Sequence, residues 1–195
     1  VDSPEHVWQS GADAVLFSQG SRQRWDLDPT DPQDLLSDSG EEGAPLASQP
    51  TPTGTRDIVS AGSYVAYRTD TGQVSVTTLA AKAATALVDP FADVEVEKGE
   101  EKPTYTADAI GLSPDGILVM YSSEESAVRR FDVDEHRFLG DGDKISSAPD
   151  STAGLAMTVV GDTWALLQLD EGRLWLSGRG DPISVDVSDG ALLQS

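Results

Sequence analysis

Two histidines, His6 and His136, are the only imidazoles in the 195 residues, and there is no cysteine. Neither histidine has a partner at the spacing by which a helix or hairpin presents two ligands to zinc, so both read as lone surface residues. Calcium needs several convergent oxygens, and two acidic runs offer them: Asp132-Val-Asp134-Glu135 and Gly140-Asp141-Gly142-Asp143. The first lacks the central glycine of an EF-hand loop, and neither has Glu at the twelfth position in frame. With 34 Asp and Glu residues in the chain, dense acidic patches arise from composition alone. A Ser–His–Asp triad can be assembled on paper from many residues, but no Gly-x-Ser-x-Gly nucleophile elbow is present. The glycines occur singly in turns, so neither a dinucleotide fingerprint nor a phosphate loop appears. Four tryptophans, Trp8, Trp25, Trp164 and Trp175, could stack on sugar rings if exposed. Their related places in the phrase described next favour core packing instead. No catalytic, cofactor-binding or metal-ligating residue is assigned, and no cofactor is expected.

The elements that would carry any such residue repeat. An apolar run, a glycine turn, a second apolar run, a further turn and a third run occur four times. The copies contain Trp8-Gln-Ser-Gly11, Ile58-Val-Ser-Ala-Gly62, Ile110-Gly-Leu-Ser-Pro-Asp-Gly116 and Val159-Val-Gly161. The turn glycines Gly11, Gly62, Gly116 and Gly161 are separated by 51, 54 and 45 residues, by subtraction. A period near 50 is the signature of an array of antiparallel blades. Arg24-Trp-Asp-Leu27, Val74-Ser-Val76, Arg130-Phe-Asp-Val133 and Ile183-Ser-Val-Asp-Val187 alternate as half-buried strands do. Ala14-Val-Leu-Phe17, Ile117-Leu-Val-Met-Tyr121 and Trp164-Ala-Leu-Leu167 are apolar throughout, which suits strands covered on both faces.

These signals predict one all-β, propeller-like domain over 1–195, with about four repeats near 5–36, 57–96, 107–145 and 155–195. Ser37–Arg56 and Glu95–Thr106 are read as loops between repeats, the first mobile and the second charged. The alanine-rich run Leu79–Leu87 has helix propensity and predicts one or two turns of surface helix. Blades of this size cannot bury their own faces, so cores are expected between neighbours and apolar surface at the two ends.

Composition narrows the partners. The formal net charge is −21, from 13 Lys and Arg against 34 Asp and Glu. Such a surface repels phosphate backbones and anionic headgroups, which argues against nucleic acid and direct membrane contact. No 18-residue apolar stretch exists in the sequence. The chain starts at Val1 and stops at Ser195 just after a strand-like run. It therefore reads as a piece of a longer propeller, with ring closure left open and any signal or anchor outside it.

Leu112-Ser-Pro-Asp-Gly116 resembles the blade turn of bacterial propellers of the TolB and WD-repeat kind. With Gly161-Asp-Thr-Trp-Ala-Leu-Leu167, Gly172-Arg-Leu-Trp-Leu176 and Ser184-Val-Asp-Val187, the chain is similar to a propeller-like N-terminal region of large bacterial proteins. Those proteins are secreted or on the cell surface and carry fibronectin type III or Ig-like domains further along. The resemblance implies a non-enzymatic extracellular module that binds protein or glycan. A propeller-type lyase or glycosidase, with acidic residues at the ring mouth, is the alternative. Open blade ends imply a homodimer or a small closed ring.

Overall fold

The computed structural model describes residues 52–78, 85–97, 99–161 and 163–187, with the backbone of three further strands, His6–Ser10, Asp13–Ser18 and Gln23–Leu27. All regular structure among these residues is strand, in four antiparallel sheets. The first holds β1 (His6–Ser10), β2 (Asp13–Ser18) and β3 (Gln23–Leu27). The second holds β4 (Thr55–Ala61), β5 (Tyr64–Thr69), β6 (Val74–Thr78) and β7 (Ala86–Val88). The third holds β8 (Ala109–Leu112), β9 (Ile117–Ser122), β10 (Ala127–Asp132) and β11 (Arg137–Phe138), with β12 (Asp143–Lys144) also paired to β10. The fourth holds β13 (Leu155–Val160), β14 (Thr163–Gln168), β15 (Arg173–Leu176) and β16 (Ile183–Ser184). Within each sheet, strands pair in chain order, so each is a meander, the blade of a propeller. No helix among the described residues is long and apolar enough to cross a membrane.

The third blade explains the all-apolar strands. Along β9, Leu118 and Met120 enter a core shared with the second blade, where Val59, Ala66, Val74 and Val76 meet them. Val119 and Tyr121, on the opposite face, enter a core shared with the fourth blade, against Val159, Trp164, Leu166 and Trp175. Side chains alternate across a strand, so a strand between two cores is apolar at every position. Trp164 and Trp175 are thus packing residues, at 3% and 1% exposure. Trp8 and Trp25 lie in β1 and β3, whose side chains are outside the described residues.

Turn chemistry supplies the corners. In Ser113-Pro-Asp-Gly116 the Gly116 amide donates to the Ser113 carbonyl at 3.1 Å, and Ser113 Oγ accepts from the Ile117 amide at 3.1 Å. Gly116 takes φ +79°, and a Cβ there would stand 2.8 Å from the Tyr64 ring of the neighbouring blade. Only glycine provides both the left-handed backbone and the room.

The Leu79–Leu87 expectation needs correction. Ala86 and Leu87 belong to strand β7, where Ala86 pairs with Val76 and Leu87 with Ser75; residues 79–84 lie outside the described set. Alanine's helix propensity is worth a few tenths of a kcal/mol per residue, about what one ladder position outweighs. The loop reading of Ser37–Arg56 also ends early: Thr55 and Arg56 are already in β4, and residues 37–51 fall outside the described set. Residues 95–97 and 99–104 of the charged segment carry no strand and are exposed, yet Tyr105 is buried against Phe91.

Candidate functional site

In an antiparallel meander, the start of the first strand, the end of the second and the start of the third share one end of the blade. That end gathers Arg56 and Asp57 at the start of β4, Arg68 near the end of β5, Asp108 just before β8, Thr152 and Gly154 just before β13, and Leu155, Ala156 and Met157 at its start. Together these residues line an open groove of about 490 Å³ where the first strands of three successive blades converge.

Arg56 owes its place to a bulge. Thr55 pairs with Thr69 and Asp57 with Arg68, so Arg56 is an extra residue with no cross-strand partner. Bulges of this kind re-aim a side chain, commonly beside a binding site. Arg56 is exposed, and it makes no ion pair among the described residues. Beside it, the Arg68 side chain is 10% exposed. Arg68 Nε donates to Asp57 Oδ2 at 2.6 Å, Nη2 donates to the same oxygen, and Nη1 donates to the Ala107 carbonyl at 3.3 Å. The guanidinium therefore ties its own hairpin to the start of the next blade. Both Arg68 bonds to Asp57 fall on its Oδ2, and Asp57 also lines the groove. Asp108 is committed as well: its Oδ2 accepts the Ser123 amide at 2.7 Å, holding the turn after β9.

The acidic runs singled out in the sequence have structural partners. Asp132 Oδ1 accepts the amides of Asp134 and Glu135 at 3.0 and 2.9 Å, shaping the turn after β10. Asp134 Oδ2 accepts the Tyr64 hydroxyl at 2.7 Å, and that bond, with burial and the charges of Asp134, Asp132 and Asp115, raises the Tyr64 pKa. Asp143 Oδ2 accepts Trp164 Nε1 at 3.1 Å, joining the third blade to the fourth. Among the described residues, no three His, Asp or Glu side chains group as metal ligands would. His136 is exposed, at φ +52°, with its ring 6.4 Å from that of Phe131; His6 is in β1, with its side chain outside the described residues.

Beneath the groove end, the Tyr121 hydroxyl is buried with no hydrogen-bond partner among the described residues. Burial, with a smaller contribution from Asp108, pushes its pKa up to about 12. Tyr121→Phe should therefore be neutral or stabilising by up to about 1 kcal/mol, since it deletes an unsatisfied buried group. The sign with pH follows. A phenol raised from 10 to about 12 in the fold keeps its full contribution below pH 10 and loses it as pH climbs toward 12. Urea titrations from pH 8 to 12 should show wild-type stability falling above pH 10, and falling less in Tyr121→Phe. Equal slopes for both proteins would refute the assignment.

Sequence reasoning missed Arg56, Asp57, Arg68 and Asp108, but a signal existed. Aligned by register, the Asp57–Arg68 pair stands where the third blade has Ala109–Tyr121 and the fourth has Ala156–Leu167. A charged pair where the third and fourth blades are apolar marks the second blade as different from them.

No protein-family model matches the chain, and no curated protein matches it in sequence. Its fold is that of β-propeller structures. It superposes on Kluyveromyces lactis Hsv2 with a TM-score of 0.60 at 14% identity, covering 96% of this chain and 59% of that one. The N-terminal domain of Nup159 gives 0.52 at 8% identity, covering 91% and 46%. The dihydro-heme d1 dehydrogenase NirN, in complex with DHE, gives 0.50 at 14% identity, covering 97% and 38%. The chain thus spans about half the length of the propeller structures it matches first, 48% and 59% of two Hsv2 chains.

Proposed function

We propose that this chain is a non-enzymatic binding module whose ligand, a protein segment or glycan, lies in the groove across the starts of β4, β8 and β13. The observation that carries this reading is the bulged Arg56, an exposed cation without an ion pair among the described residues, set at an open groove. In a chain of net charge −21, that side chain is a local donor for a carboxylate or a row of hydroxyls. The Asp57 carboxylate, held by Arg68, offers an acceptor beside it. Asp57 is held by its ion pair with Arg68 before any ligand arrives, which lowers the ordering cost on that side of the groove. The resemblance of Leu112–Gly116 and its companions adds a secreted or cell-surface location to the same reading.

The alternative, a lyase or glycosidase, has in its favour that Asp57 and Asp108 both line the groove. Both carboxylates are engaged in bonds that hold the fold, which favours binding over turnover. Peptide and glycan arrays probed with wild type and Arg56→Glu decide the matter. Hits are expected, with at least a tenfold loss of signal in Arg56→Glu. No hit at any ligand density, or hits indifferent to Arg56→Glu, would overturn the groove reading. Turnover of a glycan hit that disappears in Asp57→Asn would move the chain to the enzyme class.

A further inference from the structure

We propose that a pocket between the third and fourth blades binds a small carboxylate, held between Lys144 and Arg179. The pocket shares no lining residue with the groove, so the inference is independent of what the groove binds.

The pocket is about 390 Å³, with Gly142–Ile145 on the third-blade side and Trp164 and Gly178–Gly180 on the fourth. The first wall carries β12, which pairs with the start of β10; the second is the turn that follows β15. Two contacts fasten the walls to each other. Asp143 Oδ2 accepts Trp164 Nε1 at 3.1 Å, and Ser146 Oγ donates to the Gly180 carbonyl. The turn is closed by the Arg179 amide, which donates to the Leu176 carbonyl at 3.1 Å, with Gly178 at φ +73°. The Ser177 amide donates to the Trp164 carbonyl at 3.0 Å, fixing the turn to the start of β14. The walls are thus set by the fold before any ligand enters, which lowers the ordering cost of binding. Glycines on both sides of Arg179 leave the backbone bare, and a Cβ at Gly178 would meet nothing within 4 Å, so a ligand has room beside the guanidinium.

Charge identifies the ligand. Arg68, Arg129, Arg130, Arg137 and Arg173 each stand within ion-pair distance of a carboxylate. Lys144 and Arg179, one on each wall of the pocket, do not pair with any carboxylate among the described residues. Lys144 Nζ donates to the Glu125 carbonyl at 2.8 Å, a neutral partner that leaves its charge uncompensated. Asp143, the carboxylate of the lining, is already engaged by Trp164 and lies 3.9 Å from Arg130 Nε. In a chain of net charge −21, two uncompensated cations facing one pocket call for an anion. The same net charge, with Asp143 in the wall, penalises a phosphate dianion more than a single carboxylate. The planar guanidinium can take both carboxylate oxygens, while the ammonium acts as a point charge from the other side.

NMR titration of the isotope-labelled chain with glucuronate and with N-acetylalanine tests this, with glucose and N-acetylalaninamide as the neutral counterparts. Saturable shifts of the Trp164 indole N–H and of the Gly178 and Gly180 amides are expected with at least one acid, and with neither neutral compound. Which acid binds tells a sugar acid from a peptide carboxylate as the source. Arg179→Gln should weaken binding at least tenfold, and Lys144→Gln should weaken it measurably. Both side chains are exposed, so neither change disturbs the core. Arg137→Gln removes the same charge from an exposed ion pair with Glu135, outside the pocket lining, and should leave binding unchanged. No saturable shift with either acid, or equal binding of the neutral counterparts, would overturn the proposal. So would inorganic phosphate binding more tightly than both acids, or a loss in Arg137→Gln as large as that in Arg179→Gln.

Discussion

Trp175→Ala should lower the unfolding free energy by about 3–5 kcal/mol, the range for emptying a large aromatic site. Trp175 is 1% exposed and lies in the core between the third and fourth blades, with Val119, Tyr121, Val128, Trp164 and Leu166 around it. In a stacked array each blade touches only its neighbours, so the damage should be local. Hydrogen exchange in the variant should speed up first in β13–β16, while the amides of β5 and β6 keep their protection. Trp175→Phe should cost under about 1.5 kcal/mol, because it keeps most of the ring and deletes an indole N–H that has no partner among the described residues. Urea denaturation of both variants checks the pair. A loss below about 1 kcal/mol in Trp175→Ala would mean that this core does not hold the fourth blade.

Gly72→Val should cost about 2–5 kcal/mol, from two separate causes. Gly72 takes φ +79° at the turn after β5, a backbone that a β-branched residue does not tolerate. Its Cβ would also clash with Thr106 Cγ2 and stand 3.0 Å from the Ala107 carbonyl oxygen. This is the joint between blades two and three, where the Ala107 amide donates to the Gly72 carbonyl at 2.9 Å. Thr106→Ser removes the nearest methyl and should recover part of the loss in the double variant, though not the part due to φ. Thermal melts of the two single variants and the double variant separate the contributions. A Gly72→Val protein within about 0.5 kcal/mol of wild type would sink both arguments.

The bulge at Arg56 shows where reading a sequence stops. Nothing local distinguishes Thr-Arg-Asp-Ile from an ordinary alternating strand. The extra residue exists because Thr55 and Asp57 pair with consecutive residues Thr69 and Arg68 of the next strand. Arg68 likewise reads as a polar strand end until the following blade brings the Ala107 carbonyl, 39 residues on, within reach of its guanidinium. The Ala-rich run before β7 is a related case: Ala86 follows its ladder with Val76 rather than its own helix preference.

What the sequence determined by itself was local in origin. Strand period, turn glycines and apolar runs follow from short-range sterics and side-chain alternation and recur four times in the sequence, with a left-handed backbone at Gly62, Gly116 and Gly161. Together they are enough for an all-β array of blades with cores between neighbours. The groove and the Asp57–Arg68 tie were decided by tertiary structure. Each depends on register and on which blade lies next to which, and contacts between residues far apart in the chain leave no mark on the residues around them.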